Sequence, residues 1–252
     1  MLKVQRQEEI VRLCNATGLL TVAEAAELLG ASPMTIRRDM DELAKRGSIA
    51  RVHGGAKSLA PIPQLVHEQT HDKKFEQHFN EKQHIAKLAA SIIENGDAVF
   101  LGAGTTCEAI AMNLEGKSLS VVTNSLSAFN ALKNNPYIEL YLLGGLYRPK
   151  TNVFYGHLAE EALASISVDK VFFGVNGICA PDVMGHNIDI SNLQRLALDK
   201  GRKRYIVADS SKFFRKDLFT FYTLDQIDAV LTDPGITPEQ RASCEKYTSV
   251  IM

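Results

Sequence analysis

The chain has 252 residues, 45% of them hydrophobic and 23% charged, so it can bury a substantial core and is neither disordered nor fibrous. Its formal charge of -1 excludes a uniformly basic nucleic-acid coat protein and leaves room only for a local basic face. Cys14, Cys107, Cys179 and Cys244 show no metal-ligand spacing, the N-terminal "MLKVQRQEEI" is too charged for a secretory signal, and no apolar run approaches the roughly 18 residues that span a bilayer. The expectation is a cytoplasmic protein with reduced thiols, no membrane partner, no cofactor and no metal.

In chain order, Ile10, Leu13 and Cys14 share one face of a helix expected over about 4–17, ended by Gly18. Thr21 and Glu24 have capping-box spacing, so a second helix starts near Val22 and stops at Gly30. Ser32 suits an N-cap and Pro33 the first position of a third helix. In that helix Ile36, Met40 and Leu43 recur at i, i+4 and i+7 and face inward, which turns Met34, Thr35, Arg37, Arg38 and Asp41 outward. Ala26 is small where helices two and three would cross. Gly47 ends the third helix, and "SIARVHGG" alternates as a short wing would.

Two helices joined by a glycine-containing turn, the second presenting basic groups, describe a helix-turn-helix whose arginines can chelate guanine edges in a major groove. Isolated, Arg37 and Arg38 would be a solvated helix face; cap, turn, inward triplet and wing together point to DNA. The stretch "TVAEAAELLGASPMTIRRDMDELAKRGSIARVHGGA" strongly resembles the winged helix-turn-helix of the DeoR family of bacterial transcriptional regulators. The resemblance implies recognition contacts from Ser32, Met34, Thr35, Arg37 and Arg38, and phosphate contacts from Arg51 and His53.

After residue 56 comes a segment with two prolines and then a polar stretch, read as a linker and connecting helix over 57–80. His67 and His71 have i, i+4 metal-ligand spacing, but a solvated helix face is the simpler reading. Over 81–252, a helix at about 81–94 precedes six aliphatic runs that alternate with helical segments, starting at Ala98, Leu119, Ile138, Lys170, Arg204 and Ala229. The expected fold class is therefore α/β, a mostly parallel sheet with helices on its faces, behind the N-terminal winged helix-turn-helix. Asp169 and Lys170 are expected to pair at a strand start, and the aromatic residues from Phe213 to Tyr222 to pack a sheet edge or an oligomer contact.

Ligands of open α/β sheets bind beyond the carboxyl ends of the strands. There the sequence places Gly102, Gly104, Thr105 and Thr106; Thr123, Asn124 and Ser125; Gly144, Gly145 and Arg148; Asn176; and Lys212. Glycine amides, hydroxyls and two cations suit a phosphorylated polyol. Taken alone, "GAGTTC" fits a plain strand-to-helix turn, with Thr105 and Glu108 as another capping box; it lacks the third glycine of a dinucleotide fingerprint.

This half resembles the DeoR-type sensor domain in "EKQHIAKLAASIIENGDAVFLGAGTT", "VVTNSL", "LLGG", "DKVFFGVNGI" and "ADSSKF". The resemblance implies a fold similar to ribose-5-phosphate isomerase and CoA transferases, a phosphorylated sugar effector that relieves operator binding, and homo-oligomerisation as a dimer or tetramer. "FLGAGTT" with "QRLAL" is similar to the lactose phosphotransferase-system repressor subgroup, whose effectors are galactose or tagatose 6-phosphate. Two departures put the usual effector contacts in doubt: Gly102 stands where many members carry Asp, and Gln194 where they carry Lys. The alternative is a sugar-phosphate isomerase or deaminase with an appended DNA-binding domain, Asp182, Asp189 or Asp209 moving the proton. A third reading leaves the domain to oligomerisation alone.

Overall fold

The computed structural model describes residues 3–17, 19–52, 54–58 and 69–252, and the chain divides into two compact units, 1–67 and 68–252. The first unit runs α1 (Lys3–Thr17), β1 (Leu19–Thr21), α2 (Val22–Leu29), α3 (Pro33–Lys45), β2 (Ile49–Val52) and β3 (Gly55–Ser58). The Thr21–Glu24 capping box starts α2, and Gly30 closes it in the left-handed conformation at φ 60°. The Ser32 hydroxyl accepts from the Thr35 amide to start α3, with Pro33 in its first turn.

Ile10, Cys14, Ala25, Ile36, Met40, Leu43 and Ile49 are buried in one core. At about 1.5–3 kcal/mol for each large apolar side chain, this triplet of α3 fixes the helix's rotation. Ala25 is the fully buried small residue of α2, whereas Ala26 is only half-buried at the margin. The wing is a three-stranded sheet in the order β1-β3-β2, one strand more than the sequence suggests. Gly55 permits it: a Cβ there would lie 2.4 Å from the Leu20 carbonyl oxygen as β1 passes against β3.

The second unit begins with α4 (His71–Glu76) and α5 (Phe79–Ile92), so the expected connecting helix belongs to this unit. Then follow β4 (Ala98–Leu101), α6 (Thr105–Met112), β5 (Leu119–Thr123), α7 (Leu126–Leu132), β6 (Ile138–Leu142), β7 (Leu146–Arg148), β8 (Val153–Tyr155) and α8 (His157–Ala164). The rest is β9 (Val168–Gly174), β10 (Gly177–Cys179), β11 (Asp182–Gly185), α9 (Ile188–Lys200), β12 (Gly201–Val207), β13 (Phe219–Thr223), β14 (Ala229–Leu231), α10 (Pro238–Glu245) and β15 (Ser249–Ile251).

Seven strands form one parallel sheet in the order β15-β14-β12-β9-β4-β5-β6. Both faces are buried, which explains the continuous aliphatic runs. Val99, Leu101 and Phe172 face one core with α5, α6 and α7, while Phe100, Val171 and Phe173 face the other with α8 and α9. Phe213, Phe221 and Tyr222 belong to the second core, whereas Phe214 is exposed. Asp169 and Lys170 do not pair with each other. Lys170 meets Asp97 at 2.6 Å and Asp169 meets Arg202 at 3.2 Å, because neighbouring side chains on a strand point to opposite faces.

The chain leaves β4 in one direction to build β5 and β6, then returns to β4's other side to build β9, β12, β14 and β15. This reversal opens a crevice at the carboxyl ends of β4 and β9.

Candidate functional site

On α3, Met34, Arg37, Arg38 and Asp41 fall at i, i+3, i+4 and i+7 and are exposed, Met34 at 69%. Ser32 is exposed and Thr35 half-buried, with their hydroxyls 2.9 Å apart. The helix therefore presents two guanidinium groups and an apolar side chain on one face. Asp41 would oppose an anionic groove, but it accepts a hydrogen bond from Arg51 Nε at 2.7 Å. Arg51 also donates to the Gly55 carbonyl. The guanidinium assigned to phosphate thus braces wing against helix and neutralises the carboxylate on the basic face. His53 and His67 lie outside the described residues.

Behind α3, Asp39 is buried against α1, where Arg6 Nε approaches it at 2.6 Å and Gln7 Nε2 at 3.2 Å. Gln7 also donates to Glu42 at 2.9 Å, and Lys3 pairs with Glu42 at 2.8 Å. This ladder, which sequence reading did not single out, holds α3 on α1. Its signal was an acidic residue one turn from Ile36 on the side turned away from the arginines.

In the second unit a cleft whose empty space, including its open mouth, is about 960 Å³ sits at the crevice between β4 and β9. Gly104, Thr105, Thr106, Asn176 and Lys212, all predicted from sequence, line it. Among the described residues no side chain caps the start of α6, and Gly104, Thr105 and Thr106 in the lining bring the helix's positive end to this space. The capping-box reading of Thr105 and Glu108 is overturned: Glu108 Oε2 instead meets His71 Nε2 at 2.7 Å.

Other predicted ligand residues lie outside the lining, for packing reasons. Gly102 is pressed against Phe173, whose ring atoms would lie 2.7 Å from a Cβ. Thr123 Oγ1 donates to the Leu101 carbonyl at 2.7 Å, Asn124 Nδ2 to the Phe154 carbonyl at 3.0 Å, and Ser125 Oγ caps α7 by accepting from the Ala128 amide. These bonds tie the ends of β4 and β5 to the β7–β8 hairpin. Gly144 and Gly145 form the connection from β6 to β7, and Arg148 ends β7.

Helices α4 and α5 supply lining residues that sequence reading missed. His71, read as part of a solvated face, is 11% exposed, and its pKa is raised chiefly by the hydrogen bond to Glu108. Lys74 Nζ donates to Asn176 Oδ1 at 3.0 Å. Lys82 is buried and donates to the carbonyls of Lys74 and Gln77, with burial pulling its pKa down. Burial likewise lowers the pKa of Lys212, whose Nζ lies 3.8 Å from Asp209 Oδ2. Lys82 was visible in principle, since it continues the apolar stripe of Ile85, Ala86 and Ala89 at i, i+3, i+4 and i+7. Buried ammonium groups at the open end of a helix dipole gain from an anion between them. The far wall carries His186, Asn187 and Gln194; His186 Nδ1 is 3.0 Å from Asp217 Oδ1. Asp182 and Asp189, two of the candidate proton-transfer groups, are not in the lining.

Residues 6–61 match a DeoR-like helix-turn-helix domain, and residues 77–234 match the DeoR C terminal sensor domain. The chain belongs to the DeoR family. Similar proteins include the lactose phosphotransferase system repressor of Streptococcus mutans serotype c, 36% identical over 100% of both chains. The lactose phosphotransferase system repressor of Lactococcus lactis subsp. lactis is 37% identical over 100% of this chain and 99% of the other. Among solved structures, ribose 5-phosphate isomerase A of Methanocaldococcus jannaschii overlays with a TM-score of 0.42 and 16% identity, covering 56% of each chain. The DeoR helix-turn-helix and sensor domains, with full-length relatives named as repressors, make this chain a DNA-binding transcriptional regulator rather than an enzyme. Among the described residues, no helix is long and apolar enough to cross a membrane.

Proposed function

We propose that the chain is a cytoplasmic repressor of a sugar catabolism operon, released from operator DNA by a phosphorylated sugar bound at the β4–β9 crevice. The observation that carries this reading is the convergence of the uncapped start of α6 with Lys82, Lys74 and Lys212. A phosphate fits there: amides donate to its oxygens and lysines balance its charge. His186, Asn187 and Gln194 are left to meet sugar hydroxyls. The relatives' names support galactose or tagatose 6-phosphate as first candidates.

On DNA, Arg37 and Arg38 read base edges with Met34 and Thr35 beside them, and Ser32 fixes the helix start. Arg51 acts on the backbone mainly by holding the wing. Two recognition helices must reach half-sites about 34–36 Å apart, so the working assembly is a homo-oligomer, a dimer at the least. An effector that binds the DNA-free state more tightly draws the population away from operator, to an extent limited by that difference in affinity.

The test begins by selecting an operator from a randomised duplex pool and measuring its affinity by fluorescence anisotropy. Galactose 6-phosphate or tagatose 6-phosphate is expected to weaken binding and raise the melting temperature, and Lys82→Met to abolish both responses. If no phosphorylated sugar in a broad panel changed either quantity, the effector reading would fall.

A further inference from the structure

On the cleft wall that carries His186, Asn187 and Gln194, a buried carboxylate stands behind the imidazole. Asp217, two residues before β13, is not among the described residues that line the cleft, and its side chain is only 1% exposed. Its Oδ1 accepts from the Leu218 amide at 2.8 Å and lies 3.0 Å from His186 Nδ1. Its Oδ2 is buried with no hydrogen-bond partner among the described residues. A buried carboxylate this poorly satisfied costs stability, and its presence behind a cleft residue points to a task performed through the imidazole it touches.

An ionised carboxylate only accepts, so the hydrogen shared with His186 sits on Nδ1. In the neutral ring Nε2 then carries no hydrogen and is left to the cleft as an acceptor. The two neighbours differ. Asn187 Oδ1 is taken as the cap of α9, accepting from the Ile190 amide at 3.0 Å, which leaves that side chain its N–H donors. The Gln194 amide carries both a donor and an acceptor. His186 is therefore a fixed acceptor beside a fixed donor.

We infer that Asp217 is a positioning residue for effector specificity: by holding the proton of His186 on Nδ1, it keeps Nε2 an acceptor that reads one hydroxyl of the phosphorylated sugar. The inference rests on the phosphorylated-sugar reading of the cleft. A site that offers an acceptor at this point takes a ligand with a hydroxyl there and rejects one whose group cannot donate, since the nitrogen is then left unpaired. Asp217 thus sets the polarity of the site without touching the ligand. Were it only a tie between the approach to β13 and the end of β11, its loss would weaken every ligand alike.

The tautomer is read first, on the full-length protein without ligand, from the long-range proton–nitrogen couplings of the His186 ring at pH 8, assigned with His186→Ala. Wild type should show the Nδ1–H form, and Asp217→Asn should move the population toward the Nε2–H form. Titration calorimetry then follows galactose 6-phosphate, its monodeoxy and deoxyfluoro analogues, and inorganic phosphate. At one position both analogues are expected to bind wild type roughly tenfold or more weakly than the parent, because fluorine cannot donate. Asp217→Asn should shrink that ratio severalfold and leave inorganic phosphate binding unchanged. An Nε2–H or doubly protonated ring in wild type would overturn the inference, as would deoxyfluoro analogues that all bind like the parent. One common factor of weakening for parent, analogues and inorganic phosphate in Asp217→Asn would do the same. If that variant does not fold, His186→Ala decides: parent and analogue should bind it alike, and discrimination that persists without the imidazole removes His186 as the reader. Absence of any sugar-phosphate binding to wild type, with the tautomer as expected, would instead remove the reading of the cleft itself, and this inference with it.

Discussion

His71 and Glu108 meet through Nε2 and Oε2 at 2.7 Å, each side chain 11% exposed, joining the first helix of the sensor unit to the helix whose start faces the cleft. α4 buries none of its own residues, so polar links of this kind hold it: His71 to Glu108, Lys74 to Asn176, and Lys82 to the carbonyls of Lys74 and Gln77.

The pair makes stability depend on pH. Glu108 raises the His71 pKa above its unfolded value of about 6.5. Its stabilisation is fully present below that unfolded value and is lost as pH rises through the raised folded value. Glu108→Gln should destabilise the sensor unit most near pH 5.5–6, by the worth of a charged hydrogen bond, about 1.5–3 kcal/mol, and least near pH 8. Thermal melts of the two proteins across this range check it; parallel curves would show that the pair does not titrate as described.

On α3 and the wing, Arg37→Ala and Arg51→Ala should separate. Loss of Arg37 relaxes base preference by about 1–3 kcal/mol at one operator position and leaves folding unchanged. Loss of Arg51 frees Asp41 on the basic face and unpins the wing, so binding to all sequences weakens and the salt dependence changes. Anisotropy titrations on operator and scrambled duplexes decide the matter. Sequence-independent losses of equal size from both would remove Arg37 from the base-reading set.

The buried Asp39 should behave as a positioning group for the recognition helix. Asp39→Ala leaves Arg6, whose side chain is only 14% exposed, facing an empty partner site, at a cost of about 3 kcal/mol. Chemical denaturation of Asp39→Ala, Arg6→Ala and the double variant gives the coupling. Strict additivity would mean that the 2.6 Å contact contributes nothing.

Gly102→Ala should destabilise the sensor unit by about 1–3 kcal/mol, because the added methyl meets the Phe173 ring. Combining it with Phe173→Leu, which withdraws that ring, should recover part of the loss. A neutral Gly102→Ala in thermal melts would show that the ring gives way freely. Phe173, stacked on Phe100 at 5.7 Å, is held in place beside Gly102, so the ring has little room to withdraw.

Much of the DNA-binding unit was legible because its signals are local. The capping box at Thr21, the Ser32 cap, Pro33 and the inward triplet of α3 each act within one or two turns. The strand β1 was not legible, since three residues make no pattern and their pairing depends on Gly55 from a distant part of the chain. The parallel sheet was equally plain, because strands buried on both faces read as unbroken aliphatic runs.

The cleft was legible only in part. Sequence placed Gly104, Thr105, Thr106, Asn176 and Lys212 at strand ends, and those line the site. It could not separate them from Thr123, Asn124 and Ser125, which use the same residue types to fasten a hairpin. Nor could it bring His71, Lys74 and Lys82 to the cleft, since that depends on where α4 and α5 dock.

By itself, then, the sequence determined the two-part architecture, the outward arginines of α3 and the chemistry available at the strand ends. Periodicity, caps and turns are short-range effects written in adjacent residues. The tertiary structure decided which loops face the crevice and which cations join them. It also decided that Arg51 serves the wing and that Asp209 Oδ2 is buried without a hydrogen-bond donor among the described residues. Those outcomes depend on strand order and helix docking between residues far apart in the chain, and no local pattern encodes them.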